Sequence, residues 1–242
     1  MDGKRILINP AGGLIHSESA KQWIYQRPVF NGIYIDSFTI DIAIPLADIL
    51  KTVGMNVYTT RLLNKTHKGN VHGNIMGESQ QPRYRECTIQ YLKSIVTYEN
   101  EKERKYIPPE IYSEGKDVLE QDANARLNYA KYIKADMMLT IDATTYLNDP
   151  GIEVICNKVP GSETLANNIL EEVAKRTRSV VKGVSYAEEP SEIKYNSLLC
   201  PSVILKCGST ADVRIANFLT QGWWRQWVSL GCFAGIWNFL NK

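Results

Sequence analysis

The sequence predicts an α/β sandwich: a mixed, mostly parallel sheet flanked by helices, with one insertion. Two observations carry this reading. Short apolar runs bounded by turn residues alternate along the chain with stretches whose apolar residues recur at helical spacing. Between residues 63 and 122 that alternation gives way to polar sequence with the charged run ENEKERK and the tandem Pro108 and Pro109. This marks an insertion with little core of its own inside a single domain of residues 1–242.

Residues 4–9 are an apolar run ending in PAGG, a buried strand feeding a loop. Residues 14–32 are polar and aromatic and read as loop. Over residues 37–53, Ile40, Ile42, Ala43, Leu46, Ile49 and Leu50 share helical spacing; Pro45 predicts a kink and Gly54 a stop. Residues 56–60 form the second strand. Past the insertion, residues 122–134 predict a helix that faces Ala125, Leu127, Ala130 and Ile133 inward, with Asp122 as N-cap. Strands follow at 137–143 and 151–156. Residues 162–178 form an amphipathic helix with Leu165, Ala166, Ile169, Leu170 and Val173 on one face. Residues 202–207 are a strand, and from 212 onward the chain is helical in two pieces, ending in SLGCFAGIWNFL. In such a sheet, ligands sit outside the carboxyl ends of the strands. The loops after Asn9, Arg61, Ile141 and Lys206 are therefore the ones to examine.

Composition narrows the function classes. With 44% hydrophobic residues among 242, a substantial core is expected. The net charge of +2 comes from mixed basic and acidic residues, which gives no electrostatic footprint for nucleic acid. No apolar run reaches the roughly 18 residues of a membrane span, so no membrane partner is expected. The start MDGKRILINP reads as a first strand rather than a secretion signal, so synthesis in the cytoplasm is the expectation. The five cysteines lack any CxxC pair, which points to reduced, mostly buried thiols and away from a cysteine-held zinc.

Several segments, in order, carry a resemblance. ILINPAGG, GMNVYTTR, DANARLNYAKYIKADMMLTIDAT, GIEV and PSVILKCGSTADV resemble successive strands and loops of the zinc-dependent N-acetylmuramoyl-L-alanine amidases, and cover residues 4–61 and 123–240. The resemblance implies the peptidoglycan amidase fold. It also implies a zinc ion held by His, Glu and His, with a second Glu as general base on the bound water. This sequence departs from that set. Gly12 stands at the first histidine. Ile35, or Asp36 one residue on, stands at the ligand glutamate. Asp142 stands at the second histidine and Lys206 at the general base. Arg61, Arg126, Glu153, Cys207, Gly208 and Asp212 match the family, but as scaffold. The expectation is a degenerate member without cofactor or metal, in which the Lys206 ammonium takes the place of the zinc charge with Asp142 and Asp36 as its partners.

The remaining chemistry-bearing residues read more plainly. His67 and His72 in HKGNVH, and His16 after Gly13, read as polar loop histidines, although His16 could turn toward the degenerate site. Cys207 alternates with Lys206 along a strand, so if the lysine faces the cleft the thiol faces the core. Trp223, Trp224, Trp227 and Trp237, with Phe218, Phe233 and Phe239, pin the last helix. The adjacent Trp223 and Trp224 cannot both be buried, so one is an interface candidate. Together these readings favour a non-catalytic module for binding or assembly, either a phage tail or baseplate component assembled into a virion or a cell-wall-associated part. Peptidoglycan or other subunits would be its partners, docking through residues 63–122. The alternative is an active peptidoglycan hydrolase whose metal site is rearranged around Asp36, Asp142 and His16.

Overall fold

A computed structural model describes residues 1–63, 77–99, 103–147, 151–188 and 193–241. His67 and His72 lie outside the described residues. A six-stranded sheet runs in the order β4 (Asn56–Thr59), β1 (Arg5–Pro10), β7 (Met137–Thr144), β10 (Ser202–Ser209), β8 (Ile152–Cys156) and β9 (Val181–Tyr186). The first four strands are parallel; β8 pairs antiparallel with β10 and parallel with β9. This is the mixed, mostly parallel sheet that the strand–helix alternation predicts. β9 was not foreseen, because its half-exposed edge sequence VKGVSY carries no clean apolar alternation.

Side chains alternate across the sheet and divide the interior into two cores. On one face, Ile6 and Ile8 of β1, Met137, Leu139 and Ile141 of β7, and Val203, Leu205 and Cys207 of β10 pack against three helices. These are α1 (Ile35–Thr52), α4 (Ser162–Thr177) and α6 (Gly222–Leu240). On the other face, Leu7, Met138 and Ile204 pack under α2 (Thr88–Ser94) and α3 (Val118–Tyr132). Each apolar side chain so buried contributes about 1.5–3 kcal/mol. The described part of residues 63–122 includes a small hairpin of β5 (Val96–Glu99) and β6 (Glu103–Tyr106). It also includes α2 and the first turn of α3, and it supplies Cys87, Ile89, Leu92 and Ile107 to this second core.

Two local expectations change. Residues 14–32 are not all loop: β2 (Leu14–Ser17) and β3 (Gln22–Tyr25) form an antiparallel hairpin. Pro45 lies inside α1, as its place in the apolar run implies, and Ser229 Oγ of α6 donates to the Ile42 carbonyl in the turn before it, at 2.7 Å. The third helix begins earlier than its apolar periodicity suggests. Asp117 is the N-cap, accepting from Glu120 N at 2.9 Å, while Asp122 is fully buried inside the helix. Past β10, the last two helices are α5 (Val213–Leu219), capped by Asp212, and α6. Among the described residues no helix is long and apolar enough to cross a membrane.

Candidate functional site

The strand alternation that builds the two cores also builds the site. Ala11, Thr140, Asp142 and Lys206 continue the second face beyond Leu7, Met138 and Ile204, at the carboxyl ends of three parallel strands. They line a polar cleft of about 320 Å³. Arg126 of α3, Tyr195 of the 3-10 turn Ile193–Ser197, and Arg27 after β3 complete its walls. Lys206 and Asp142 are register partners across β10 and β7. Cys207 points the other way into the first core, where burial pushes its thiol well above the usual range, as the alternation requires.

Two arginines meet the carboxylates of the expected site. Asp142 Oδ2 is 3.1 Å from Arg27 Nη2, and its Oδ1 accepts from Ala143 N at 2.8 Å. Arg27, which the sequence reading did not name, is thus a charge partner of Asp142. Asp36 lies behind the cleft, 2% exposed, with its carboxylate 3.9 Å from Arg61 Nη2. Arg61 is fully buried and donates to the carbonyls of Ala11, Asp36, Tyr84 and Glu86 at 3.2, 3.1, 2.7 and 3.1 Å. Burial pushes its guanidinium down to about 10, against the pull of Asp36, so it stays charged at neutral pH. Arg27 came from a loop whose sequence has no periodic signal, which is why it was missed. Arg61 was visible only as scaffold.

The cleft floor is a connected polar network. Asn9 Nδ2 donates to Thr140 Oγ1 at 3.0 Å, Thr60 Oγ1 donates to Asn9 Oδ1 at 2.6 Å, and Tyr195 Oη lies 3.0 Å from Thr140 Oγ1. Asp122 accepts from Gln26 Nε2 at 2.8 Å, from Ile89 N at 3.1 Å and from Arg126 Nη2. Burial pulls the Arg126 guanidinium down, but Asp122, Tyr195 and Asp142 together outweigh it and raise it above its usual value. Burial raises the Tyr195 hydroxyl. The groups present can donate hydrogen bonds and meet negative charge.

The zinc that the sequence resemblance implies does not fit this donor set. Gly12 has φ +89°, and a Cβ there would stand 3.1 Å from Asp36 N and 3.2 Å from its Cα. The start of α1 therefore crowds a side chain at residue 12, and the positive φ strains one. His16 lies on β2, with Nδ1 3.2 Å from Glu18 Oε1 and its ring edge-on to Trp23, in a separate groove with Gln121. It does not turn toward Asp142. Among the described residues no three His, Cys, Asp or Glu side chains group closely enough to hold a metal. Gly12→His should accordingly not rebuild a ligand. It should cost about 1–3 kcal/mol of backbone strain, read as a lower urea midpoint, and a variant as stable as the parent would contradict the crowding against Asp36.

The sheet order, the helices on both faces and the cleft over the parallel strand ends define the fold of N-acetylmuramoyl-L-alanine amidase catalytic domains. Three solved structures show the likeness in detail. The catalytic domain of CwlV from Bacillus (Paenibacillus) polymyxa var. colistinus superposes with a TM-score of 0.62 at 16% identity, covering 98% of each chain. Ami1 from Mycobacterium smegmatis gives 0.63 at 14% identity, covering 99% of this chain and 97% of that one. CwlD from Clostridioides difficile, solved in complex with the GerS lipoprotein, gives 0.59 at 16% identity, covering 98% of each. No protein-family model matches the sequence. No curated protein matches it either.

Proposed function

We propose that this chain is an amidase-fold module that binds its ligand without hydrolysing it. The observation that carries this reading is the composition of the cleft. Arg27, Arg126 and Lys206 face it, the one carboxylate among its described lining residues is engaged by Arg27, and Gly12, at φ +89°, has no side chain and would hold one only with strain. An amidase of the zinc type needs an electrophilic metal and a carboxylate base on its water; here a lysine stands in register beside Asp142. The named activity of the structural neighbours makes peptidoglycan the ligand class of choice. Stem-peptide carboxylates would suit the cationic walls. Such a module serves binding or assembly, as part of a phage tail or baseplate or of a wall-associated complex. Other subunits would dock through residues 63–122, as CwlD is found with a lipoprotein.

Two measurements on the purified chain test this. Sedimentation with peptidoglycan should retain the protein. Lys206→Glu should weaken that retention about tenfold or more, the loss of a charge-assisted hydrogen bond of about 1.5–3 kcal/mol. Elemental analysis should find zinc far below one per chain, with no peptide released from the wall. One equivalent of zinc together with hydrolysis that Asp142→Ala abolishes would establish the rearranged hydrolase instead.

A further inference from the structure

The outward face of α6 carries a pattern that the cleft does not use. Trp223, Trp227, Leu230, Ala234 and Trp237 follow one another at alternating intervals of four and three residues along this helix. That repeat belongs to a helix lying lengthwise on another helix. Trp223, Trp227, Leu230 and Trp237 are 49, 43, 36 and 43% exposed, and Ala234 is half-buried between them. Phe218 of α5 stands edge-on to Trp223 at 6.4 Å and extends the patch. Charged and polar groups border it on both sides. Arg225 pairs with Asp41 of α1 at 2.9 Å, and Asn238 Nδ2 reaches Glu172 of α4 at 3.4 Å. An aromatic centre inside a polar rim is the anatomy of a protein interface.

We propose that α6 packs antiparallel on α6 of a second copy of this chain, about a two-fold axis at Leu230. The pattern is centred on that residue. In the antiparallel arrangement Leu230 meets its symmetry mate, Trp223 meets Trp237 of the second copy, and Trp227 lies beside the small Ala234 of the second copy. A self-complementary patch of this kind is what a two-fold interface demands. No seam position carries a charge, so self-pairing sets no like charges face to face. The seam from Trp223 to Trp237 is about 21 Å long at the helical rise. Aromatic side chains offer about 150–250 Å² each, so rings exposed by nearly half, with Leu230, present roughly 400–500 Å² per copy. The pair would bury roughly 800–1,000 Å², at the lower bound for a specific interface. That size suits a weak, reversible dimer. The inference stands apart from the reading of the cleft.

Analytical ultracentrifugation of the full chain from micromolar to submillimolar concentration tests it. The average mass should climb from 27.4 kDa toward twice that value. Leu230→Lys should hold the mass at the monomer value with an unchanged circular dichroism spectrum, since the residue is exposed in the single copy. Leu230→Cys should yield a disulfide-linked dimer under mild oxidation, because the axis brings the two thiols together, whereas Val213→Cys, exposed outside the seam, should not. A monomer over the whole range overturns the proposal and leaves the face to a different partner. A dimer that survives Leu230→Lys overturns it as well.

Discussion

Arg61→Met should lower stability by about 3–5 kcal/mol, the cost of removing one member of a buried, hydrogen-bonded charge system. The side chain has no exposure and serves four carbonyls from three separate segments: the β1–β2 loop, the start of α1 and the chain before α2. Methionine fills similar volume but donates nothing, so these carbonyls and the Asp36 carboxylate would lose their shared cation. The buried guanidinium is costly in itself, which its lowered pKa of about 10 expresses. The native arrangement is therefore not evidence of net stabilisation; the loss on truncation comes from what is left behind. Arg61→Lys should recover little, because an ammonium cannot fork toward carbonyls on several sides. Urea denaturation gives the test. A midpoint shift with an unchanged slope is expected, together with a fall in Tm of roughly 10 °C or more. A loss under about 1 kcal/mol would mean that water reaches these carbonyls.

The second large effect is expected where α4 and α6 touch. A Cβ on Gly235 would stand 2.6 Å from Ile169 Cα and 2.7 Å from its backbone N, and one on Gly231 would stand 2.6 Å from Val173 Cα. Both neighbours are main chain of α4, which cannot rotate aside as a side chain can. Gly235→Ala sets two terms against each other. Alanine gains about 1 kcal/mol of helix propensity over glycine, while overpacking costs typically about 1–3 kcal/mol. The contact is with backbone and far inside ordinary separation, so the second term should win and the variant should be net destabilised. Gly235→Leu should exceed that range, because the rest of the side chain has no cavity to enter. Thermal melts of the two variants decide the matter. An alanine variant more stable than the parent would show that the two helices sit further apart than this close approach.

Much of the fold was legible because its signals are local. The runs ILIN, MMLTI and SVILK are apolar and short, and α1 and α4 carry clear helical stripes, so their existence follows from burial along one face. β9 and the β2–β3 hairpin were not legible. Their residues are exposed or half-buried and owe their pairing to a neighbouring edge rather than to any pattern of their own. Asp122 was read as a helix cap because aspartate before an apolar stripe usually is one; its real partners, Gln26, Ile89 and Arg126, come from distant parts of the chain.

By itself the sequence determined the order of the main strands and helices, the opposite facing of Lys206 and Cys207, and the unequal burial of Trp223 and Trp224, of which the structure exposes Trp223. These follow from the fixed periods of strand and helix, which no distant contact can alter. Only the tertiary structure decided the charge pairing of the site. Lys206 and Asp142 stand side by side in register, and Arg27 and Arg61 reach the carboxylates of Asp142 and Asp36 from outside that register. Long basic side chains reach several residues' worth of space. Which carboxylate each one meets depends on where loops close over the sheet, and no local period encodes that.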